Sequence, residues 1–363
     1  MRTMNHELQT AAVDFYTYPS VGYDDWRYAF QTAQVRTIQM QMLSRATLLD
    51  MANAQDFQAA VGLLSATEYA LPQAGRDFAE VQQVLSARRQ AARELFADLM
   101  LDEPLVHLFR TRDDFANIRL AVRRALTERP IGTDYSPDGN FPPEQFQEVF
   151  EQDNYDLLPD YLQDAVEQAT LAYYQSAGPT SGQDKDIRQI DYAIDNIQAR
   201  YKLNRAWQLK SIFLLSLFRI QIDLTNIRTV LRLKFREAEQ VPRIAGTKAD
   251  VFFQGGYIEP ERLHHGLEFG YESLGSLFAV TPYHRIVESG ANYLAQNKSF
   301  LGIEQQCDEH LTGFLQLTVI ITAGPQPIIA YLLMKEHEIR TVRLILTAQK
   351  NHLDTKLIVD RIS

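Results

Sequence analysis

The chain has 363 residues, 45% hydrophobic and 23% charged, a globular composition that excludes a disordered or fibrous protein. Its 36 basic and 46 acidic side chains leave a formal charge of −10, so neither nucleic acid nor anionic lipid is an expected partner. One cysteine, Cys307, excludes a disulfide framework or multi-cysteine zinc site and suits a reducing compartment.

In chain order, the opening MRTMNHELQT shows no apolar run behind its arginine, so no secretory signal is expected there. Val84, Ala91, Leu95 and Leu99 recur at helical spacing and predict one apolar helix face. Ile220, Leu224, Ile227, Leu231 and Phe235 predict a second, and Ile328, Leu332, Ile339, Val342 and Leu346 a third. Stretches rich in Gly, Pro, Asp or Ser at Arg129–Pro143, Ser176–Asp186 and Glu237–Gly256 predict loops. Leu311–Met334 is uncharged over 24 positions, long enough for a membrane span. Gly324-Pro325 and Pro327 interrupt it, however, and predict a buried helix–turn–helix instead. Period-2 alternation is scarce, so the expected fold is all-α.

Self-comparison sharpens that expectation. Asp114-x-x-Asn117-Ile118-Arg119-x-x-x-Arg123 returns as Asp223-x-x-Asn226-Ile227-Arg228-x-x-x-Arg232. Glu338-Ile339-Arg340 and Gln34-Val35-Arg36 are further copies, which puts the anchors at 34, 117, 226 and 338. Gly139–Phe146 aligns with Gly256–Leu263, Leu63–Tyr69 with Leu277–Tyr283, and Ile190-Asp191-x-x-x-Asp195 with Ile303-Glu304-x-x-x-Asp308. Three tandem, pseudo-symmetric helical units are expected, over 1–129, 130–240 and 241–363.

In each anchor the arginine lies about 100° round the helix from the preceding apolar residue, at the flank of the buried stripe. Arg36, Arg119, Arg228 and Arg340 are therefore an equivalent set. They act either as forks that satisfy acids of neighbouring helices, with Asp195 and Asp308 the leading partners, or as a ring that binds an anion or a partner. Asp113-Asp114-Phe-Ala-Asn117 resembles the magnesium motif of all-α terpenoid synthases, although the second copy reads Ile222-Asp223 and lacks the first acid. His264, His265, His310, His337 and His352 lack metal-ligand spacing, and Ala245–Lys248 lacks a phosphate loop. Cys307, Tyr69, Tyr283 and Tyr331 read as core residues. No catalytic, cofactor or metal site is expected.

The C-terminal run Ile329–Leu346 resembles the closing segment of the C subunit of V/A-type rotary ATPases, whose eukaryotic counterpart is the d subunit. Asp223-x-x-Asn226-Ile227-Arg228, Gly255-Gly256-x-Ile258, Thr281-Pro282-Tyr283 and Leu63–Tyr69 are similar to other signatures of that family. The resemblance runs from about residue 28 to the C terminus and is loosest between about 75 and 190. It implies a funnel of three helical units on the cytoplasmic face of the membrane proteolipid ring, receiving the central stalk. It further implies a non-catalytic rotor subunit without cofactor or lipid insertion. A generic helical docking scaffold and a magnesium-dependent terpenoid-type enzyme are the alternatives. Coupling to H⁺ or to Na⁺ is left open.

Overall fold

The computed structural model describes residues 18–71, 77–176, 185–238 and 251–362. The opening decapeptide, the Ala245–Lys248 turn, residues 177–184 of the second expected loop and 239–250 of the third lie outside them. Among the described residues every regular element is helical, with fifteen α-helices and three short 3-10 turns. In chain order α1 is Ala29–Gln39, α2 Arg45–Ala52, α3 Phe57–Gly62 and α4 Phe78–Leu99. Next come α5 Glu103–Leu126, α6 Gln145–Glu151, α7 Asp160–Gln175, α8 Arg188–Gln208, α9 Ile212–Ala238 and α10 Pro260–Gly266. The last are α11 Tyr271–Leu277, α12 His284–Asn297, α13 Leu301–Gln316, α14 Pro325–Lys350 and α15 Thr355–Ile362.

These helices form two compact units. Among the described residues the first covers Asp102–Phe269, and the second joins the chain up to Leu101 to the chain from Gly270 onward. In the first, α5, α7 and α8 pack together and α9 packs on α8. Phe115, Ile118, Phe146, Leu162, Ile190 and Ile194 fill its core. In the second, α14 is the central element and packs against α1, α2, α3 and α4. Its Ile339, Val342, Ile345 and Leu346 meet Met51, Val61, Tyr69 and Leu85 in one cluster.

Helix boundaries follow the chain's own polar residues. Ser44, Asp56 and Asp77 each accept a backbone N–H of the first turn, at Thr47, Ala59 and Glu80, which satisfies donors the helix leaves unpaired. Proline opens α10 and α14. The α8–α9 junction turns on Lys210 at φ 52°, with Lys210 N–H bonded to Trp207 O and Ser211 N–H to Ala206 O. The long uncharged stretch is broken as expected: α13 ends at Gln316, a 3-10 turn covers Leu317–Ile320, and α14 starts at Pro325. No helix among the described residues is long and apolar enough to cross a membrane.

One stripe needs correcting. On α4 the buried face is Val81, Leu85, Ala92, Phe96 and Leu99, while Ala91 is exposed and Val84 and Leu95 are only half-buried. Both sets have helical spacing, so periodicity alone does not choose between them. Packing against α14 selects the face that carries Leu85 and Phe96. The stripes of α9 and α14 lie where expected except at Phe235, which is half-buried; Ile220, Leu224, Ile227 and Leu231 are buried, as are Ile328, Leu332, Ile339, Val342 and Leu346.

Candidate functional site

The repeated Asp-x-x-Asn builds the same polar clamp twice in the first unit. Asp114 is fully buried on α5, and its Oδ1 accepts the backbone N–H groups of Asn140 (2.7 Å) and Phe141 (2.9 Å). Asp223, equally buried on α9, accepts those of Tyr257 (3.0 Å) and Ile258 (3.1 Å). Three residues on, Asn117 exchanges two 2.8 Å bonds with the backbone of Ser136, and Asn226 two 2.9 Å bonds with that of Phe253. The Asn partner lies 19 residues ahead in one copy and 27 in the other, so the loops differ in length while the clamp is kept. A carboxylate holding two backbone donors and an amide pairing with a peptide unit leave few buried groups unsatisfied where a loop enters the core. Gly139 and Gly256 stand against these carboxylates, and a methyl group at either would overlap the Oδ1 atom.

Asp114 does more than hold the loop. Its Oδ2 accepts Asn140 Nδ2 at 2.8 Å and the Tyr161 hydroxyl at 2.7 Å, completing four hydrogen bonds. Asp113 faces the Ser136 hydroxyl at 3.4 Å. The carboxylate that the terpenoid reading needs as a magnesium ligand is thus committed to the loop and to Tyr161.

The arginines find different partners. Arg119 pairs with Asp195 and, at 3.7 Å, with Asp191, and Arg123 pairs with Asp191 at 2.8 Å, tying α5 to α8 by charged bridges. Burial raises the Asp195 carboxyl even though Arg119 opposes the shift. Arg228 is half-buried on the flank of α9. Arg36, on α1, donates to the carbonyls of Thr318 (3.3 Å), Val319 (3.0 Å) and Ile321 (2.6 Å), holding the segment between α13 and α14. Asp308 bonds to Arg361 of α15 at 2.5 Å, so a guanidinium outside the repeat takes that acid. Arg340 is exposed and borders the same small cavity as Asp308, His337 and Arg361.

In the second unit, position 338 carries a clamp with other chemistry. Glu338 Oε2 accepts the Leu43 N–H at 2.5 Å, and Oε1 accepts the Tyr69 hydroxyl at 2.6 Å. Lys335, one turn earlier and 1% exposed, bridges Glu338 and Glu68 and lies 4.7 Å from the Tyr69 ring centroid. Glu336 pairs with Arg93 of α4 at 3.0 Å. The repeat marks the Glu338 position and, through Leu63–Tyr69, its partner Tyr69, but not Glu68, which varies within that motif, nor Arg93, which belongs to none. Thr67 and Thr281, aligned in the sequence, make the same bonds: each hydroxyl donates to the carbonyl three residues back and accepts the N–H two residues ahead. Tyr69 and Tyr283 follow them, both buried.

Each unit also has open space beside these residues. A cavity of about 220 Å³ in the first is lined by Asp195, Lys202 and Phe218. One of about 970 Å³ in the second is lined by Arg36, Asp308, His337 and Glu338.

Among the described residues, two long helices, α5 and α9, are thus pinned to the loops that follow them by buried carboxylates and amides. Comparison gives the family: the profile of the ATP synthase (C/AC39) subunit family matches residues 31–361, and the chain belongs to that family, the C-subunit group of V/A-type ATPases. Among curated proteins it is 22% identical over 330 residues to the C subunit of the V-type sodium ATPase of Enterococcus hirae, covering 90% of this chain and 95% of the relative.

Proposed function

We propose that the chain is the non-catalytic rotor subunit of a V/A-type ATPase or ATP synthase. In this reading it links the central stalk to the membrane proteolipid ring and turns with both. The observation that carries the proposal is the family match over residues 31–361. Torque transfer needs an element that does not yield, and close-packed helices with satisfied buried polar groups are poorly compressible. The charge of −10 favours docking on protein loops over anionic headgroups. The protein would lie on the cytoplasmic side, peripheral to the membrane. Three tandem units over 1–129, 130–240 and 241–363 would form its funnel, and the matching clamps at Asp114/Asn117 and Asp223/Asn226 support two of the repeats.

Omitting the chain from a reconstituted complex tests the role. ATP hydrolysis should persist while ion movement is lost, and restoring the chain should restore coupling. Coupled ion movement in its absence would overturn the proposal.

A further inference from the structure

Within the first unit, Lys202 stands in surroundings that the scaffold role does not call for. It is partly exposed on the wall of the 220 Å³ cavity between α8 and α9, beside Asp195, Gln198, Gln221 and Thr225. Its ammonium is 6.0 Å from the Phe218 ring centroid. Among the described residues it has no hydrogen bond and no carboxylate within ion-pair reach. The charged groups that act on it are Arg112, from α5, and Asp195, on its own helix, whose charge Arg119 already holds. The cavity wall contributed by α9 is Phe218, Gln221, Ile222 and Thr225, all uncharged. Asp195 aligns with Asp308, and seven residues beyond Asp308 the equivalent position is Leu315, 3% exposed. A site that the sister helix fills with leucine here holds an amine.

We propose that Lys202 is a nucleophilic amine reached through this cavity by small activated acyl groups, and that it is the chain's preferred site of lysine acylation. The free amine attacks the acyl carbonyl carbon and a C–N bond forms. The carbonyl bond to the phosphate oxygen or thioester sulfur breaks, that group departs with the electron pair, and the amine's proton passes to water. Burial and the Arg112 charge bring the ammonium from an ordinary 10.5 down to about 8, against the pull of Asp195, so free amine is present near neutral pH. The product amide is neutral and removes a poorly solvated charge from an apolar wall.

The test exposes the full chain at pH 7.5 briefly to acetyl phosphate and, separately, to acetyl-coenzyme A, and reads each lysine by mass spectrometry. Lys202 should be acetylated about tenfold faster than the exposed Lys356 by at least one donor, with the rate levelling above pH 8. Arg112→Gln, compared at a melting temperature matching the unaltered chain, should slow Lys202 several-fold and leave Lys356 unchanged. Lys202 reacting no faster than Lys356 with both donors, or unaffected by Arg112→Gln, would overturn the proposal.

Discussion

Tyr69 donates its hydroxyl to Glu338 at 2.6 Å across 269 residues of chain, with both side chains buried. Burial and the Glu338 charge raise the phenol, so it stays a donor throughout the neutral range. The same carboxylate oxygen holds Lys335 and the other holds the Leu43 N–H, so three groups depend on Glu338. Tyr69→Phe removes one bond to a charged acceptor and should cost about 1.5–3 kcal/mol. Glu338→Ala also strips a buried ammonium of a partner and should cost about 3–5 kcal/mol. Urea unfolding of the two variants measures the difference, and equal losses would contradict this assignment.

The paired glycines are a second test. Gly139→Ala and Gly256→Ala each drive a methyl into a clamp carboxylate and should destabilise by about 1–3 kcal/mol. Gly62→Ala, at the end of α3 with nothing within 4 Å of the added carbon, should be neutral or stabilising within about 1 kcal/mol. Thermal melts of the three variants make the comparison.

Arg36 holds three carbonyls with one guanidinium nitrogen, in a segment whose regular structure is a single 3-10 turn. Arg36→Ala should lower protection from hydrogen exchange across Leu317–Gly324 while leaving the middle of α14 protected. Unchanged exchange at Ile321–Gly324 would refute the role.

His310 lies between the rings of Tyr18 (4.8 Å) and Tyr283 (5.1 Å), and its Nε2 has no partner among the described residues. Burial brings it from 6.5 down to about 4, so the folded chain favours the neutral ring. Stability from this group is complete above pH 6.5 and is lost as pH falls toward 4, by at most about 3 kcal/mol. His310→Phe should flatten the stability profile between pH 6.5 and 4. His337 shifts in the same direction and would retain its own share.

The sequence carried the helical class, the break at Gly324-Pro325 and the anchor motif, because each depends on local spacing or backbone chemistry. It also named Asp195 and Asp308 as leading partners for the repeated arginines and left open which arginine meets which acid. Three things were out of reach. The face of α4 is chosen by α14, more than two hundred residues away in the chain. Arg361 takes Asp308 because α15 packs on α13, a contact with no counterpart in the repeat. The Lys335–Glu68 bridge uses a position of the Leu63–Tyr69 motif that the aligned segment fills with Pro282, so self-comparison does not mark it.

The most direct measurement is purification of the affinity-tagged full chain from its own cells under mild detergent, with every copurifying protein identified. The account predicts central-stalk proteins and the membrane proteolipid together in the same eluate. Recovery of the chain with neither of them, from cells in which both are expressed, would contradict it.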